Sequence, residues 1–202
     1  MTPIKLFAIA ATLFLVACGS SPQHQYYLLN SKTQAPASGQ APSLGVGPIT
    51  IPEYLNRSGM VYSEDGNRLH VARYERWAEP LADGIQRVLG LNLSAALGTQ
   101  NIRPHPWARN DIPEYAVQIW LLGLNAGGNE AELVAEWRVT RRGEERDSEV
   151  TQRISRLATS LAGPDWQAAD TAAAYSELLQ RLSDEIAGVI RTQMEGAASD
   201  QN

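Results

Sequence analysis

The sequence predicts an α/β (α+β) fold, a two-layer sandwich in which two amphipathic helices lie on one face of a mixed or antiparallel sheet. Two segments, 80–97 and 170–194, carry apolar residues at steps of three and four, which is typical of helices with one buried face. Short runs before and between them alternate apolar and polar residues or are rich in β-branched and aromatic residues. Turn-forming residues separate those runs, so the order of elements favours strands around two helices.

The ends of the first helix carry recognisable signals. Pro80 is tolerated in a first turn, and Glu79 and Asp83 complement the positive end of the helix dipole. Gly98 is suited to a left-handed C-terminal cap. Asn92 is the one polar residue in the apolar stripe of this helix. We therefore expect the helix to lie on the sheet with Asn92 facing inward.

The strands are predicted from alternation and turn chemistry. The Asp65-Gly66 step supplies the positive φ that a tight hairpin needs, and the segment 73–79 is predicted as a charged, aromatic approach to the first helix. The segment 44–51 is predicted as a strand with an irregular middle. In chain order the predicted strands are 25–29, 44–51, 60–63, 68–72, 102–105, 114–124, 131–140 and 145–158.

The N-terminus has the layout of a secretory signal. Lys5 precedes an apolar run, 6–16, and small residues lead into Cys18, the single cysteine of the chain. A helix of eleven residues is only ~16 Å long, about half of a ~30 Å hydrocarbon core. The ending Leu15-Val16-Ala17-Cys18 resembles a bacterial lipobox, which implies a diacylglyceryl thioether on Cys18 and cleavage just before it. The alternative is an ordinary signal peptide with a chance cysteine.

The lipobox defines the expected domain organisation. Residues 1–17 are a signal peptide, 18–24 a lipidated tether, 25–194 one domain and 195–202 a disordered tail. Six extended residues cover at most ~20 Å, so the domain is predicted to sit against its membrane. Alternatively, the whole stretch from 19 to 43 is a disordered tether. Gly19 stands where bacterial lipoproteins retained in the inner membrane usually have aspartate, so the analogy predicts the periplasmic face of the outer membrane.

Composition and spacing argue against several classes of function. A net charge of −5 disfavours a general nucleic-acid or anionic-membrane binder. His24, His70 and His105 are far apart and form no metal-binding motif, so no metal or cofactor is expected. Arginines in 138–156 alternate with acids, which favours cross-strand ion pairs over an anion site. A periplasmic hydrolase is disfavoured because no nucleophile and base can be paired from local spacing.

Two predicted loops carry unusually many large side chains. Tyr54, Leu55 and Arg57 belong to the first loop, and Arg76 and Trp77 belong to the second. Tyrosine, tryptophan and arginine are the residues that most often dominate the energetics of protein interfaces, so these five are the candidate partner contacts. The alternative is structural: Tyr54 and Trp77 cap the core at the helix entrance, while Arg57 and Arg76 pair with local acids.

An ordered set of motifs resembles the ABC-type transport auxiliary lipoproteins. It consists of the lipobox, an early Tyr-Tyr-Leu-Leu strand, a Pro-x-Tyr-Leu-x-Arg loop and an Arg-Trp-Ala-Glu-Pro-Leu helix entrance. The resemblance covers the chain from Cys18 to about Met194. One departure is Asn56, where the family favours an aspartate, so an ion pair made by that carboxylate is in doubt.

The resemblance implies a non-enzymatic, palmitoylated periplasmic lipoprotein of the outer membrane. Its expected partners are a protein with an MCE domain and inner-membrane transport components, with which it moves lipid and maintains the envelope. A ring or other homo-oligomer is compatible with a subunit that caps an MCE tube. A second hypothesis is a lipid carrier whose helices part from the sheet, because both helices have broad apolar stripes.

Overall fold

The computed structural model describes residues 22–31, 38–64, 67–108, 110–142, 149–163 and 165–199. Cys18 and the predicted Asp-Gly turn lie outside the described residues. The strands are β1 (Gln25–Tyr27), β2 (Leu44–Thr50), β3 (Gly59–Ser63), β4 (Leu69–Trp77), β5 (Ile102–Pro104), β6 (Tyr115–Gly127), β7 (Glu130–Arg141) and β8 (Glu149–Ser160). The helices are α1 (Leu81–Leu97) and α2 (Ala168–Ser199), and a short 3-10 turn spans Glu53–Leu55.

The strands form two mixed sheets. The larger sheet has the order β5-β2-β6-β7-β8, with β2 parallel to both neighbours and the remaining pairs antiparallel. The smaller sheet has the order β1-β4-β3, in which β1 runs parallel to β4. The predicted α+β class is therefore confirmed, although the sequence had not indicated that β1, β3 and β4 pair only with one another.

Both helices pack on the same face of the larger sheet. α1 contacts β2 and β5, α2 contacts β7 and β8, and the helices contact each other. Alternate residues of the central strands, such as Val117, Ile119 and Trp137, are fully or almost fully buried beneath them. Trp137 donates its ring N–H to Ser155 Oγ at 2.8 Å, and Ser155 bonds the carboxylate of Glu185 on α2. The apolar stripes predicted for the helices thus form the core.

The boundaries of the elements agree best with the prediction where the sequence carries a strong local signal. α1 ends at the predicted cap, where Gly98 has a φ of 68°, a left-handed conformation that glycine adopts without strain. β4 continues to Trp77, so most of the predicted approach to the helix is strand. α2 extends to Ser199 and takes in the first five residues of the segment predicted as a tail. The irregular middle of β2 is confirmed by a register shift between Val46 and Ile49.

The open face of the larger sheet carries polar and charged side chains. Arg156 Nη1 lies 2.6 Å from a carboxylate oxygen of Glu132 on the neighbouring strand. The Arg138 guanidinium lies over the ring of Trp120, 5.4 Å from its centroid. The predicted cross-strand pairing of arginine with acid is therefore present on this face.

Asn92 occupies the fully buried stripe of α1, and its amide is unusual. Among the described residues, neither Nδ2 nor Oδ1 of Asn92 has a hydrogen-bonding partner. Burying a polar group without a partner costs about 1–3 kcal/mol. Alanine has a higher helix propensity than asparagine by about 0.5 kcal/mol.

We expect Asn92→Ala to raise the free energy of unfolding by about 1–2 kcal/mol, measured by urea denaturation. The matched control is Ser94→Ala on the same helix, because Ser94 Oγ donates a 2.6 Å hydrogen bond to the Thr99 carbonyl. Removing that satisfied group is expected to lower stability. A loss of stability with Asn92→Ala would show that the packing contacts of the amide outweigh its missing hydrogen bonds.

Candidate partner-binding site

The two segments singled out in the sequence meet at one surface cavity of about 360 Å³. Its position follows from β4, because Trp77 N donates to the Ser58 carbonyl at 2.8 Å and thereby joins the first loop to the end of the strand. The cavity, called here the entrance cavity because it lies where the chain enters α1, is lined by Asn56, Arg57, Ser58, Trp77, Ala78, Glu79, Pro80 and Leu81.

The first loop is shaped by a tight turn. Pro52 holds its φ at −58°, and its carbonyl accepts a 2.9 Å hydrogen bond from Leu55 N. Arg57 N then donates to the Leu55 carbonyl at 2.8 Å. These bonds turn Leu55 into the core and leave Arg57 exposed at the mouth of the cavity.

Two of the five predicted contact residues are buried. Leu55 is 4% exposed and Trp77 is 7% exposed. The Trp77 ring stacks on Tyr175 of α2, with centroids 6.2 Å apart and an interplanar angle of 28°. Trp77 therefore caps the core at the helix entrance, as the structural alternative stated, and it presents only one edge to the cavity. A direct contact of either residue with a partner stays a prediction.

The other three predicted residues are accessible to different degrees. Tyr54 is half-buried, and its hydroxyl lies 3.4 Å from Asn125 Oδ1 on β6. Arg76 is half-buried and donates from Nη1 to Ser58 Oγ at 3.3 Å. Within the described part of the chain, Arg57 and Arg76 form no ion pair. The expected pairing with local acids is therefore not seen there, and Arg57 is available to a ligand.

The opposite wall of the entrance cavity depends on residues that the sequence did not single out as site residues. Arg87 Nε donates to a Glu79 carboxylate oxygen at 3.2 Å, and Arg87 Nη2 also donates to the Leu29 carbonyl at 2.8 Å. Glu79 is thereby held against the first turn of α1, and the chain after β1 is tied to the same place. Glu79 and Arg87 are eight residues apart, about two turns of helix, with the acid at the helix entrance. This spacing could have predicted their ion pair from the sequence.

Burial keeps the tyrosines behind the cavity in their neutral form. Burial is the main cause that raises the pKa of Tyr175 far above its usual value, and the nearby Tyr54 and Tyr62 add to the effect. Burial likewise raises the pKa of Tyr62, with a contribution from Glu75. The charged residues that line the cavity itself are Arg57 and Glu79.

The described histidines do not come together in a metal site. They contain no group of three or more histidine, cysteine or acidic side chains arranged to hold a metal ion. His24 contacts Tyr74, His70 stacks on Tyr62, and His105 contacts Trp107. Across the described ranges, neither helix combines the length and hydrophobicity needed to cross a bilayer.

The fold and the entrance cavity define a small α+β domain whose surface site combines an arginine, a glutamate and the largely buried Trp77. Within that class, the chain belongs to the family described as ABC-type transport auxiliary lipoprotein component, whose profile matches residues 26–187. The resemblance seen in the motifs is thus confirmed at the level of the family.

Curated relatives agree with this assignment. The chain is 32% identical over 97 residues to the intermembrane transport lipoprotein PqiC of Escherichia coli K12, and equally to the PqiC of Shigella flexneri. The aligned region is 46% of this chain and 52% of each relative, so the chain spans about half the length of the curated relatives it matches.

Solved structures agree on the fold. A crystal structure titled only as an uncharacterized protein has a TM-score of 0.66 at 19% identity, covering 84% of this chain and 99% of the other. The crystal structure of a Xanthomonas campestris protein has a TM-score of 0.64 at 16% identity, covering 88% and 99%. At these identities the likeness supports the architecture alone.

Proposed function

We propose that the protein is a lipoprotein anchored through Cys18 in the outer membrane, where it docks the MCE-domain component of a lipid transport system. The system also includes inner-membrane components, and its work maintains the envelope. The proposal assigns no catalytic step to this chain. Membership of the transport auxiliary lipoprotein family is the observation that carries it.

The geometry of the entrance cavity supports a docking role. The cavity brings together two loops that are about twenty positions apart and combines an exposed cation, an aromatic edge and a carboxylate. Mixed aromatic and arginine surfaces of this kind are enriched at protein interfaces. The exposed Arg57 is the direct contact in this proposal, whereas Leu55 and Trp77 position the loop.

The apolar stripes of the helices give no support to the alternative of a lipid carrier. Leu89, Leu93, Leu182 and Ile186 are fully buried in the core, and none of them lines the four best-defined cavities of the described residues. The proposal therefore assigns lipid passage to the MCE-domain partner. A homo-oligomeric ring around that partner is compatible with this arrangement.

We expect Arg57→Glu to weaken capture of the MCE-domain protein of the same organism at least tenfold, because it reverses the exposed charge at the cavity. The measurement is co-purification of that protein with the lipidated full chain after mild crosslinking. The substitution is at an exposed position and should change the free energy of unfolding by less than about 0.5 kcal/mol.

Arg153→Glu is the matched control, since Arg153 is an exposed arginine on the outermost strand β8. Equal losses with both variants would mean that net charge rather than the entrance cavity governs binding. Unchanged capture with Arg57→Glu would remove the cavity from the proposal. Failure of the wild-type chain to capture any MCE-domain protein would refute the docking function.

A further inference from the structure

The smaller sheet has an outer face that carries several exposed apolar side chains. Its inner face is identified by Tyr62, which contacts Trp166, and by Trp77, which stacks on Tyr175. His70 stacks on Tyr62 and shares the inner face, so its neighbours Leu69 and Val71 point outward. Tyr74 alternates with Trp77 and points to the same outer face, because the register of β3 and β4 shifts between Gly59 and Val61. The exposed members are large: Tyr26 is 64% exposed, Val71 44% and Leu69 40%.

Ring contacts join His24, Tyr26 and Tyr74 on this face. The His24 ring lies 6.5 Å from the ring of Tyr26 and 5.8 Å from the ring of Tyr74. Toward the hairpin end, Val71 lies opposite Val61 of β3, which is only 6% exposed, so Val71 and Leu69 are the accessible apolar side chains there. We call this surface the tether face and define it as His24, Tyr26, Leu69, Val71 and Tyr74.

The direction of β1 places the start of the domain at this face. β1 is parallel to β4, with Gln25 opposite Glu75, so the residues before Gln25 run back alongside the first half of β4. Pro22 follows Cys18 by four positions, and four extended residues reach at most ~14 Å. A lipid on Cys18 would therefore hold the tether face close to the bilayer surface.

The chemistry of the tether face suits the interfacial region of a membrane. Tyrosine side chains combine an apolar ring with a polar hydroxyl and concentrate at membrane–water interfaces. Leu69 and Val71 add apolar area, and the exposed Arg73 on the same strand supplies a cation for lipid phosphate. The entrance cavity lies at the other end of β4, where Trp77 leads into α1, and it adjoins the tether face at Tyr26, which is opposite Arg76 in the register.

We propose that the tether face lies on the lipid headgroups of the membrane that holds the anchor, and so fixes the orientation of the domain. The inference rests on the lipid anchor of the proposed function. Its consequence is that the entrance cavity keeps a constant direction relative to the membrane, because the domain does not tumble about its tether.

The test uses the lipidated full chain in phosphatidylethanolamine–phosphatidylglycerol vesicles. Because the thiol of Cys18 carries the lipid, Val71→Cys provides a single free thiol for an environment-sensitive fluorophore. Ile154→Cys is the matched control, since Ile154 is 66% exposed on the open face of the other sheet. Nitroxide-bearing phospholipids quench only a fluorophore in contact with lipid, and iodide quenches one in water.

We expect lipid nitroxide to quench the fluorophore at position 71 at least threefold more than the one at position 154, with the opposite order for iodide. Tyr26→Glu should lower the lipid quenching at 71. Equal quenching at both positions, with the protein floating with the vesicles, would overturn the inference and leave the anchor intact. Shielding from iodide without lipid quenching would show that a protein covers the face and would also overturn it. Failure to float would refute the anchor and the inference together.

Discussion

Cys18→Ser is expected to abolish palmitate incorporation and to move the protein from the membrane to the soluble periplasmic fraction. The hydroxyl of serine cannot form the thioether that carries the acyl chains. Each buried methylene adds about 0.8 kcal/mol, so that two or three chains anchor durably whereas one chain is marginal. The loss therefore removes nearly all of the membrane affinity, and the tether face alone would leave only weak residual binding.

The comparison requires that the signal segment be removed in every variant. The serine variant is therefore exported with a conventional cleavable signal in place of residues 1–17, so that an uncleaved apolar segment does not retain it. Ser21→Ala in the same tether is the matched control and should keep both label and membrane fraction. Equal palmitate labelling and equal fractionation of wild type and Cys18→Ser would show that the sulfur is not the anchor.

The elements predicted most accurately from the sequence are those with strong local signals. The helix α1 has a proline at its entrance, a regular stripe and Gly98 at its end, and each of these is a property of nearby residues. The strand β7 was also indicated by its own alternation, and β6 was indicated by a long run that is apolar on both faces. These segments carry their structure locally, so no distant contact was needed to place them.

The smaller sheet was not predicted because its pairing is decided by distant residues. The second half of β4 is charged and aromatic and lacks clean alternation, and it becomes a strand because β1 pairs with it some fifty positions earlier in the chain. Separation into two sheets likewise depends on which strands meet in space. Local alternation contains no information on that choice.

The candidate site was predicted by residue type but not by orientation. Aromatic and arginine residues in loops indicated both segments, and the structure brings the two segments to one cavity. Whether Trp77 faces a partner or the core depends on Tyr175, which lies about a hundred positions later and supplies the surface on which it stacks. Among the described residues Arg57 has no such stacking partner and is exposed. Residue type predicted a partner contact for both Trp77 and Arg57, but the structure gives the two residues different surroundings.

Because Trp77 is buried, we expect Trp77→Ala to lower the stability of the domain before any effect on partner binding is considered. Truncating a buried tryptophan costs about 3–5 kcal/mol, a large part of the 5–15 kcal/mol that a typical domain has in total. Urea denaturation followed by circular dichroism should show that loss. The control is Trp120→Ala on the open face of the larger sheet, where the ring is half-buried and the cost should be smaller.

Because Trp77→Ala lowers stability, the amount of MCE-domain partner that it captures must be divided by the amount of variant that is folded. If Trp77 positions the loop, the folded fraction of Trp77→Ala should lose binding in proportion to the disorder of Asn56–Ser58. Trp77→Phe should then restore both stability and capture, because a ring again stacks on Tyr175. The opposite outcome would make Trp77 a direct contact. If Trp77→Ala lost less than about 1 kcal/mol yet bound no partner, the exposed edge of the ring would itself be the contact, and the direct assignment made from the sequence would hold.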